Sequence, residues 1–233
     1  MKKHIAIDGP AGSGKSTVAR IVAERLGYLY LDTGSLYRAV TLYFVELGVT
    51  KEDIGKKVAE FLKDVRITVG GKEKMRVFVN DRDVTEDIRK PQVDALVSYV
   101  ARIPEVRAFL RNLQRRIALS RPSVVEGRDI GTVILPEADL KIFLTASPEI
   151  RAQRRWKELR LKGNNVDYKV VLKNVLERDA IDSQREHAPL RKAEDAVLID
   201  SSFLTIEEVV RKIHALVVEG DCAGERCPFG GLL

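Results

Sequence analysis

Cysteine and long apolar runs are what this sequence has least of. Only two cysteines occur in 233 residues, Cys222 and Cys227, and both lie close to the carboxyl end. The body of the chain therefore has no disulfide framework. No apolar run approaches the ~20 residues that span a bilayer, and Lys2-Lys3 leads straight into a strand pattern, leaving no room for a signal peptide. We expect a soluble, cytoplasmic protein with no membrane partner.

Aromatic residues are also scarce, and the charge is only mildly biased. Phe, Trp and Tyr make up 6% of the chain, while 40 Lys and Arg against 34 Asp and Glu give a net charge of +6. Proteins that bind single-stranded nucleic acid interleave aromatic with basic residues along a groove. Here the basic residues are scattered in pairs, so we expect anionic small ligands and no nucleic-acid partner.

Near the amino end, a glycine-rich segment stands between a strand pattern and a helical pattern. The segment reads Gly9-Pro10-Ala11-Gly12-Ser13-Gly14-Lys15-Ser16, with Thr17 next. The spacing G-x-x-x-x-G-K-S is typical of loops whose backbone N–H groups bind the phosphates of a nucleoside triphosphate. In such loops the lysine reaches the β- and γ-phosphates, and the serine hydroxyl binds Mg²⁺. A glycine-rich surface turn explains neither Lys15-Ser16 nor the flanking pattern.

Along most of the chain, short apolar strand patterns alternate with amphipathic helical patterns. The strand patterns cover residues 5–7, 28–31, 123–125, 140–145 and 196–200. Four or five such strands separated by helices predict an α/β fold with a doubly wound parallel sheet. Between residues 65 and 79 the apolar residues alternate instead, which predicts an inserted antiparallel hairpin. Asn80-Asp81 has the turn chemistry expected to close it.

Three further segments, together with the glycine-rich loop, carry a resemblance to a known family. They are Asp32-Thr33-Gly34-Ser35-Leu36-Tyr37-Arg38, Glu126-Gly127-Arg128-Asp129-Ile130-Gly131-Thr132-Val133, and Glu177-Arg178-Asp179 with Asp182 and Arg185. The chain resembles the bacterial cytidylate kinases of the nucleoside monophosphate kinase superfamily over roughly residues 1 to 218. The first of these three segments is more specific than the phosphate loop.

The resemblance implies a single P-loop kinase domain over residues 1–219, built on a five-stranded parallel sheet. Its core would comprise residues 1–32, 105–150 and 166–219. A subdomain for the nucleoside monophosphate, containing the small antiparallel sheet, would cover 33–104, and a short lid 151–165. Residues 220–233 would form a tail.

The same resemblance implies the activity and its residues. A monomer would transfer the γ-phosphoryl group of ATP to CMP or dCMP in pyrimidine nucleotide metabolism, with Mg²⁺. The transfer itself would depend on Lys15, Arg38, Arg128 and Arg154. ATP would be bound by residues 9–17 together with Arg151, Arg154 and Arg155. CMP would be bound by Thr33, Arg38, Ser98, Arg107, Arg128, Asp129, Arg178, Asp182 and Arg185. Mg²⁺ would be bound by Ser16, with Glu126 contributing through water.

The expected chemistry agrees with this residue set. Phosphoryl transfer between two nucleotides needs aligned phosphates, neutralised charge and excluded water, and arginines from several directions supply the charge. The acceptor phosphate is already a nucleophile, so no general base is required. Within the set, Thr33, Arg38 and Arg128 would hold that phosphate, since a hydroxyl and two guanidinium groups match its oxygens. Ser98, Arg107 and Asp129 would read the cytosine.

Plainer interpretations of the same residues remain open at this point. Arg178, Asp179, Asp182 and Arg185 have helical spacing and would also suit a solvated salt-bridge face. Arg151, Arg154 and Arg155 would also suit an exposed basic helix, and the Ser98 hydroxyl could bond to its own helix. A nucleic-acid-dependent ATPase and a shikimate-type small-molecule kinase are the alternative functions. The inserted hairpin and the Gly-Arg-Asp segment disfavour the second.

Overall fold

The computed structural model of the chain describes residues 2–71, 74–161 and 163–218. Its strands are β1 (His4–Asp8), β2 (Leu29–Asp32), β3 (Ile67–Gly70), β4 (Arg76–Val79), β5 (Arg82–Asp83), β6 (Ser123–Gly127), β7 (Leu140–Thr145) and β8 (Val197–Asp200). Its helices are α1 (Lys15–Leu26), α2 (Thr33–Glu46), α3 (Lys51–Phe61), α4 (Pro91–Val100), α5 (Pro104–Leu119), α6 (Pro148–Leu161), α7 (Tyr168–Ser183) and α8 (Ile206–Val218). No helix within these ranges has the length and apolarity to cross a bilayer.

Five strands form one sheet in the order β2-β6-β1-β7-β8, and every neighbouring pair is parallel. Parallel neighbours require a crossover connection, and helices supply it along this chain. The predicted α/β, doubly wound sheet is therefore confirmed. Because β1 is the central strand, the loop leaving its carboxyl end lies among the ends of its neighbours, where α/β proteins bind ligands.

The sheet is buried on both faces. In β1, Ile5 and Ile7 pack with Val18 of α1 and Ile213 of α8, whereas Ala6 between them belongs to the cluster on the opposite face. Successive side chains of a strand point to opposite faces, so a strand covered on both sides must be apolar throughout. This explains why the strand patterns read as continuous apolar runs in the sequence.

The inserted antiparallel sheet is present, but it has three strands in the order β3-β4-β5. Ile67 of β3 lies opposite Val79 of β4, as the alternating pattern predicts. Asn80-Asp81 does not close this pair, which corrects the expectation from the sequence. Their φ angles of 47° and 68° instead turn the chain from β4 into the short β5. Two consecutive positive φ angles give the tight turn that matches strand twist.

Candidate active site

A cavity of about 810 Å³ opens at the carboxyl ends of the parallel strands. Its walls come from the loop after β1, from the ends of β2 and β6, from α7, and from the segment after β8. Among the described residues, nine cationic side chains and five carboxylates line it. This excess of positive charge in a concave, partly desolvated site suits a ligand that carries several negative charges.

The glycine-rich loop lies at the centre of this cavity and is shaped by close backbone contact. At Gly9 (φ 150°) a Cβ atom would lie 1.9 Å from the Leu144 carbonyl oxygen, so only glycine fits. Gly14 precedes α1 with a left-handed φ of 92°, and its position carries no capping side chain. The first N–H groups of α1 therefore remain available to bind an anion.

Lys15 lies inside this loop with 4% of its surface exposed. Its Nζ donates a hydrogen bond to the Pro10 carbonyl oxygen at 2.8 Å. Burial and the nearby Arg128 lower the pKa of Lys15, while burial raises the pKa of the neighbouring Glu126. A phosphate bound in the loop would favour the charged form of the lysine, because an opposite charge offsets desolvation.

At one end of the cavity, a single buried carboxylate binds two arginines. Asp182 is 2% exposed and accepts hydrogen bonds from Arg128 Nε, at 2.8 Å, and from Arg185. Arg178, one turn earlier on α7, forms no hydrogen bond or ion pair with another described residue. Burial and Arg128 lower its pKa to about 10. A solvated salt-bridge face is therefore the wrong interpretation of this segment.

A second buried pair joins Arg107 of α5 to Asp129, which follows β6. Arg107 also donates to the Ala101 carbonyl oxygen at 3.1 Å, and its guanidinium carbon lies 5.7 Å from the centre of the Tyr37 ring. Burial raises the pKa of Asp129, and the charge of Arg107 opposes that rise. Ser98 lines the same cavity, and within the described residues its hydroxyl does not bond to its own helix.

Asp8, at the end of β1, fixes the segment that carries Arg128 and Asp129. Its carboxylate accepts hydrogen bonds from the N–H groups of Ile130, at 2.8 Å, and Gly131, at 2.7 Å. Asp8 is 5% exposed, and burial raises its pKa to about 6. The central strand and the neighbouring β6 loop are therefore connected directly beneath the cavity.

Arg38 and Arg89 line the cavity and have carboxylate partners of their own. Arg38 bonds to Asp94 at 2.6 Å, and Arg89 bonds to Asp32 at 3.1 Å. Both ion pairs are partly exposed, so each guanidinium keeps donors that can turn toward a ligand. Thr33 lines the same wall.

Oxygen donors that suit Mg²⁺ lie beside the phosphate loop. Glu126, at the end of β6, is 3% exposed and accepts a hydrogen bond from the Tyr30 hydroxyl at 2.7 Å, and Ser16 lines the same cavity. Hydroxyl and carboxylate oxygens are ligands that Mg²⁺ accepts, usually together with phosphate oxygens and water. The described residues hold no cluster of three or more His, Cys, Asp or Glu that could bind a metal alone. The donor set therefore fits a magnesium ion that arrives with a nucleotide.

Comparison with known proteins places this site in a family. The family model described as cytidylate kinase matches residues 5–219. A cytidylate kinase from Carboxydothermus hydrogenoformans is 54% identical over 216 residues, covering 92% of this chain and 96% of the relative. One from Fervidobacterium nodosum is 49% identical over 219 residues, covering 94% and 98%. This chain belongs to the cytidylate kinase family.

A solved structure is similar in fold alone. The uncharacterized protein from Eubacterium ventriosum superposes with a TM-score of 0.50 and 16% identity, covering 91% of this chain and 96% of that one.

The structure brings most of the predicted site residues of this cytidylate kinase family member to one cavity. Those lining it are Ala11, Gly12, Ser13, Gly14, Lys15, Ser16, Thr17, Thr33, Arg38, Ser98, Arg107, Glu126, Arg128, Asp129, Arg154, Arg155, Arg178, Asp182 and Arg185. Gly9, Pro10 and Arg151 lie behind the walls. Their assignments as ATP ligands, like all the assigned roles, stay predictions.

The arginines of α6 have partners within the protein. Arg151 is 3% exposed and Arg154 bonds to the Ser201 carbonyl oxygen at 2.6 Å, whereas Arg155 is exposed and paired with Glu158. Arginine density in this helix therefore does not by itself require bound anions. An exposed basic helix is the wrong interpretation of Arg151.

Several cavity residues were missed by sequence reasoning. The segment after β8 forms one end of the cavity with Ser201, Leu204, Thr205, Ile206 and Val209. The available signal was its place in the chain, since it follows the carboxyl end of a parallel strand and meets the other loops at that edge. The sequence around Arg89 did not indicate that this residue lines the cavity.

Proposed function

We propose that this chain is a cytidylate kinase that transfers the γ-phosphoryl group of ATP to CMP or dCMP. The observation that carries the proposal is one continuous cavity with a triphosphate-type loop at its centre and an arginine cluster at one end, in a chain whose family membership spans residues 5–219. We place it in pyrimidine nucleotide metabolism in the cytoplasm, acting as a monomer, as the family resemblance implies.

ATP would bind with its phosphates on the glycine-rich loop and the amino end of α1. Lys15 would contact the β- and γ-phosphates, and Arg154 and Arg155 would approach from α6. The base would lie at the more apolar end, against Leu204 and Ile206. This orientation points the γ-phosphate toward the arginine cluster.

CMP would occupy that cluster. Arg38, Arg128 and Thr33 would hold its phosphate, because guanidinium groups bind phosphate oxygens in pairs. Cytosine would face Asp129 and Ser98 as acceptors and Arg107 as donor. The ribose of CMP would be surrounded by Arg178, Asp182 and Arg185.

In the transfer step, an oxygen of the CMP phosphate would attack the γ-phosphorus as the bond to the β,γ-bridging oxygen breaks, giving CDP and ADP. Charge builds on the oxygens around phosphorus, and Lys15, Arg128 and Arg154 would neutralise it from different directions. Mg²⁺ held near Ser16 and Glu126 would supply further positive charge at the β- and γ-phosphates. Water excluded from the closed cavity would not compete as an acceptor.

A coupled assay of ADP formation tests the proposal, with CMP, dCMP, UMP, AMP, shikimate or single-stranded DNA present. We expect CMP and dCMP to stimulate turnover most. The Lys15→Ala variant should lose transfer by several orders of magnitude while keeping its melting midpoint, because it removes a charge needed mainly in the transition state. Lys56→Ala is the matched control, since that lysine pairs with Glu52 on the surface of α3. Stimulation by shikimate or DNA instead would overturn the proposal.

A further inference from the structure

Arg151 is a buried cation that the proposed mechanism does not use. It stands in the first turn of α6, 3% exposed, and its Nε donates to the Ala146 carbonyl oxygen at 2.8 Å. One terminal nitrogen donates to the carbonyl oxygen of Ala11, in the phosphate loop, at 3.2 Å. A Cβ atom on Gly12 would lie 3.2 Å from Arg151 Cβ, so this side chain packs directly behind the loop.

The same guanidinium holds α7. Its two terminal nitrogens donate to the two oxygens of Asp179 at 2.9 and 2.6 Å, which is the paired geometry that gives arginine and carboxylate their strongest contact. Asp179 follows Arg178 directly and precedes Asp182 by three residues, so it belongs to the turn of α7 that faces the acceptor end of the cavity.

These contacts leave Arg151 little capacity to bind a nucleotide. A guanidinium has five N–H donors, and four of them are engaged by Ala146, Ala11 and the two oxygens of Asp179. The side chain does not line the cavity within the part of the chain that the structure describes. Its geometry is that of a connection between the donor and acceptor halves of the site.

We propose that Arg151 is a positioning residue that ties the phosphate loop to α7 and thereby couples ATP binding to CMP binding. The inference rests on the proposed function, and it replaces the predicted role of Arg151 as a triphosphate ligand. When one nucleotide binds, it orders its own half of the site. Through Arg151 and Asp179, this favours the arrangement of the second half that the other nucleotide requires for binding. Such coupling is reciprocal, so each nucleotide must tighten the other by the same factor.

The decisive variant is Arg151→Lys, which keeps the charge but cannot bond to two carbonyl oxygens and both carboxylate oxygens at once. Calorimetry measures the Kd of CMP alone, of a non-hydrolysable ATP analogue alone, and of each with the other present. We expect CMP alone to bind about tenfold more weakly, and the coupling factor to fall toward one, within the range of coupling between sites. Arg20→Lys is the matched control, because its ion pair with Glu24 on α1 is exposed.

A triphosphate ligand would behave differently. Arg151→Lys would then weaken binding of the ATP analogue and leave the Kd of CMP alone unchanged, which would overturn the inference. Asp179→Asn provides the reciprocal test from the acceptor side, since it should weaken binding of the ATP analogue without lining the cavity. Wild-type protein that does not bind CMP would overturn the proposed function, whereas normal coupling in Arg151→Lys would overturn only the inference.

The unaltered protein gives a second measurement if the variants do not fold. Hydrogen exchange is followed in residues 9–14 and in α7 with CMP alone and with the ATP analogue alone. We expect CMP alone to slow exchange in the phosphate loop, and the analogue alone to slow exchange in α7. Protection confined to the half that each nucleotide contacts would overturn the connection through Arg151.

Discussion

At the scale of single residues, several charged side chains of the site form buried or half-buried ion pairs. Arg107 and Asp129 form a pair in which both side chains are buried, and Arg128, 22% exposed, pairs with the buried Asp182. Removing one partner of such a pair leaves the other desolvated, typically at a cost of about 3–5 kcal/mol. A substitution here therefore changes stability as well as recognition, and experiments must separate the two.

Asp129 provides a test of base selection. Cytosine offers an N4 amino donor where uracil offers the O4 acceptor, and an ionised carboxylate can only accept. We expect Asp129→Ala to lower kcat/KM for CMP by about a hundredfold or more, as loss of a discriminating polar contact does, and to affect UMP far less. Ser98→Ala should act in the same direction more mildly.

The matched control for Asp129→Ala is Asp94→Ala. Asp94 pairs with Arg38, a residue assigned to the phosphate that both substrates share. Its loss should lower kcat/KM for CMP and UMP alike. Equal losses with Asp129→Ala would mean that Asp129 supports Arg107 without reading the base, and melting curves of both variants separate folding from recognition.

Asp8 makes the stability of the protein depend on pH. Burial raises its pKa from 3.8 to about 6, so the folded state holds this proton more tightly than the unfolded state does. Its contribution is therefore fully present below about pH 4 and is lost as pH rises through about 6. We expect the free energy of unfolding of wild type, minus that of Asp8→Asn, to fall by up to about 3 kcal/mol between these limits and neutral pH.

Urea unfolding of the wild type and Asp8→Asn at a series of pH values measures that difference. The other titrating groups are common to both proteins and largely cancel. A difference that stays level from pH ~4 to pH ~7 would show that Asp8 keeps an ordinary pKa.

At the scale of elements, α6 begins as a fixed helix and ends as an exposed one. Arg151 in its first turn is 3% exposed and held by three other segments, whereas Arg155 and Glu158 form an exposed pair. Beyond Arg151 the helix packs on α7 through Trp156 and Leu159, while most of its other side chains are exposed. A helix held by one apolar contact opens more readily than one fixed by buried ion pairs. The proposed lid, residues 151–165, would then move about its Arg151 end.

Hydrogen exchange with a bisubstrate analogue tests this lid. We expect protection to rise when both nucleotide sites are filled, and to rise more over 155–161 than around Arg151, because only the exposed part has contacts to gain. The β7 strand, buried in the sheet, is the internal control. Equal protection of residues 151–165 with and without the analogue would contradict a closing lid.

At the scale of the whole molecule, the described residues that line the cavity fall between 11 and 209. The predicted tail, 220–233, lies outside the described residues, as do Cys222 and Cys227. Its sequence has four glycines and no apolar periodicity, so it has little to bury. With His214 the two cysteines would still lack a fourth zinc ligand.

Truncation after Glu219 tests whether the tail matters. We expect turnover with CMP to change by less than about twofold and the melting midpoint to stay in place, because short unpatterned termini contribute few contacts. The full-length chain, prepared in parallel with and without a zinc chelator, is the control. A large loss of turnover on truncation, or on chelation, would give the tail a role.

The sequence by itself determined what depends on short stretches of backbone. The glycine-rich loop, the apolar strands and the amphipathic helices are set by residues a few positions apart. Their periods and turn residues therefore predicted the sheet class and the loop between β1 and α1 correctly. The Asn80-Asp81 turn was recognised as a turn, but its strand partners were not, because β5 is too short to show a pattern.

Only the tertiary structure decided which charges meet. Arg151 and Asp179 are 28 residues apart in the chain, and Arg128 and Asp182 are 54 apart. Asp8 lies 122 residues from Ile130, whose backbone N–H donates a hydrogen bond to its carboxylate. The spacing of polar residues along one face of a helix is the same whether that face is exposed to solvent or packs against a neighbouring element. The parallel sheet buries these groups at one edge, and burial turns a surface pattern into fixed pairs, since a desolvated charge is stable only with a partner.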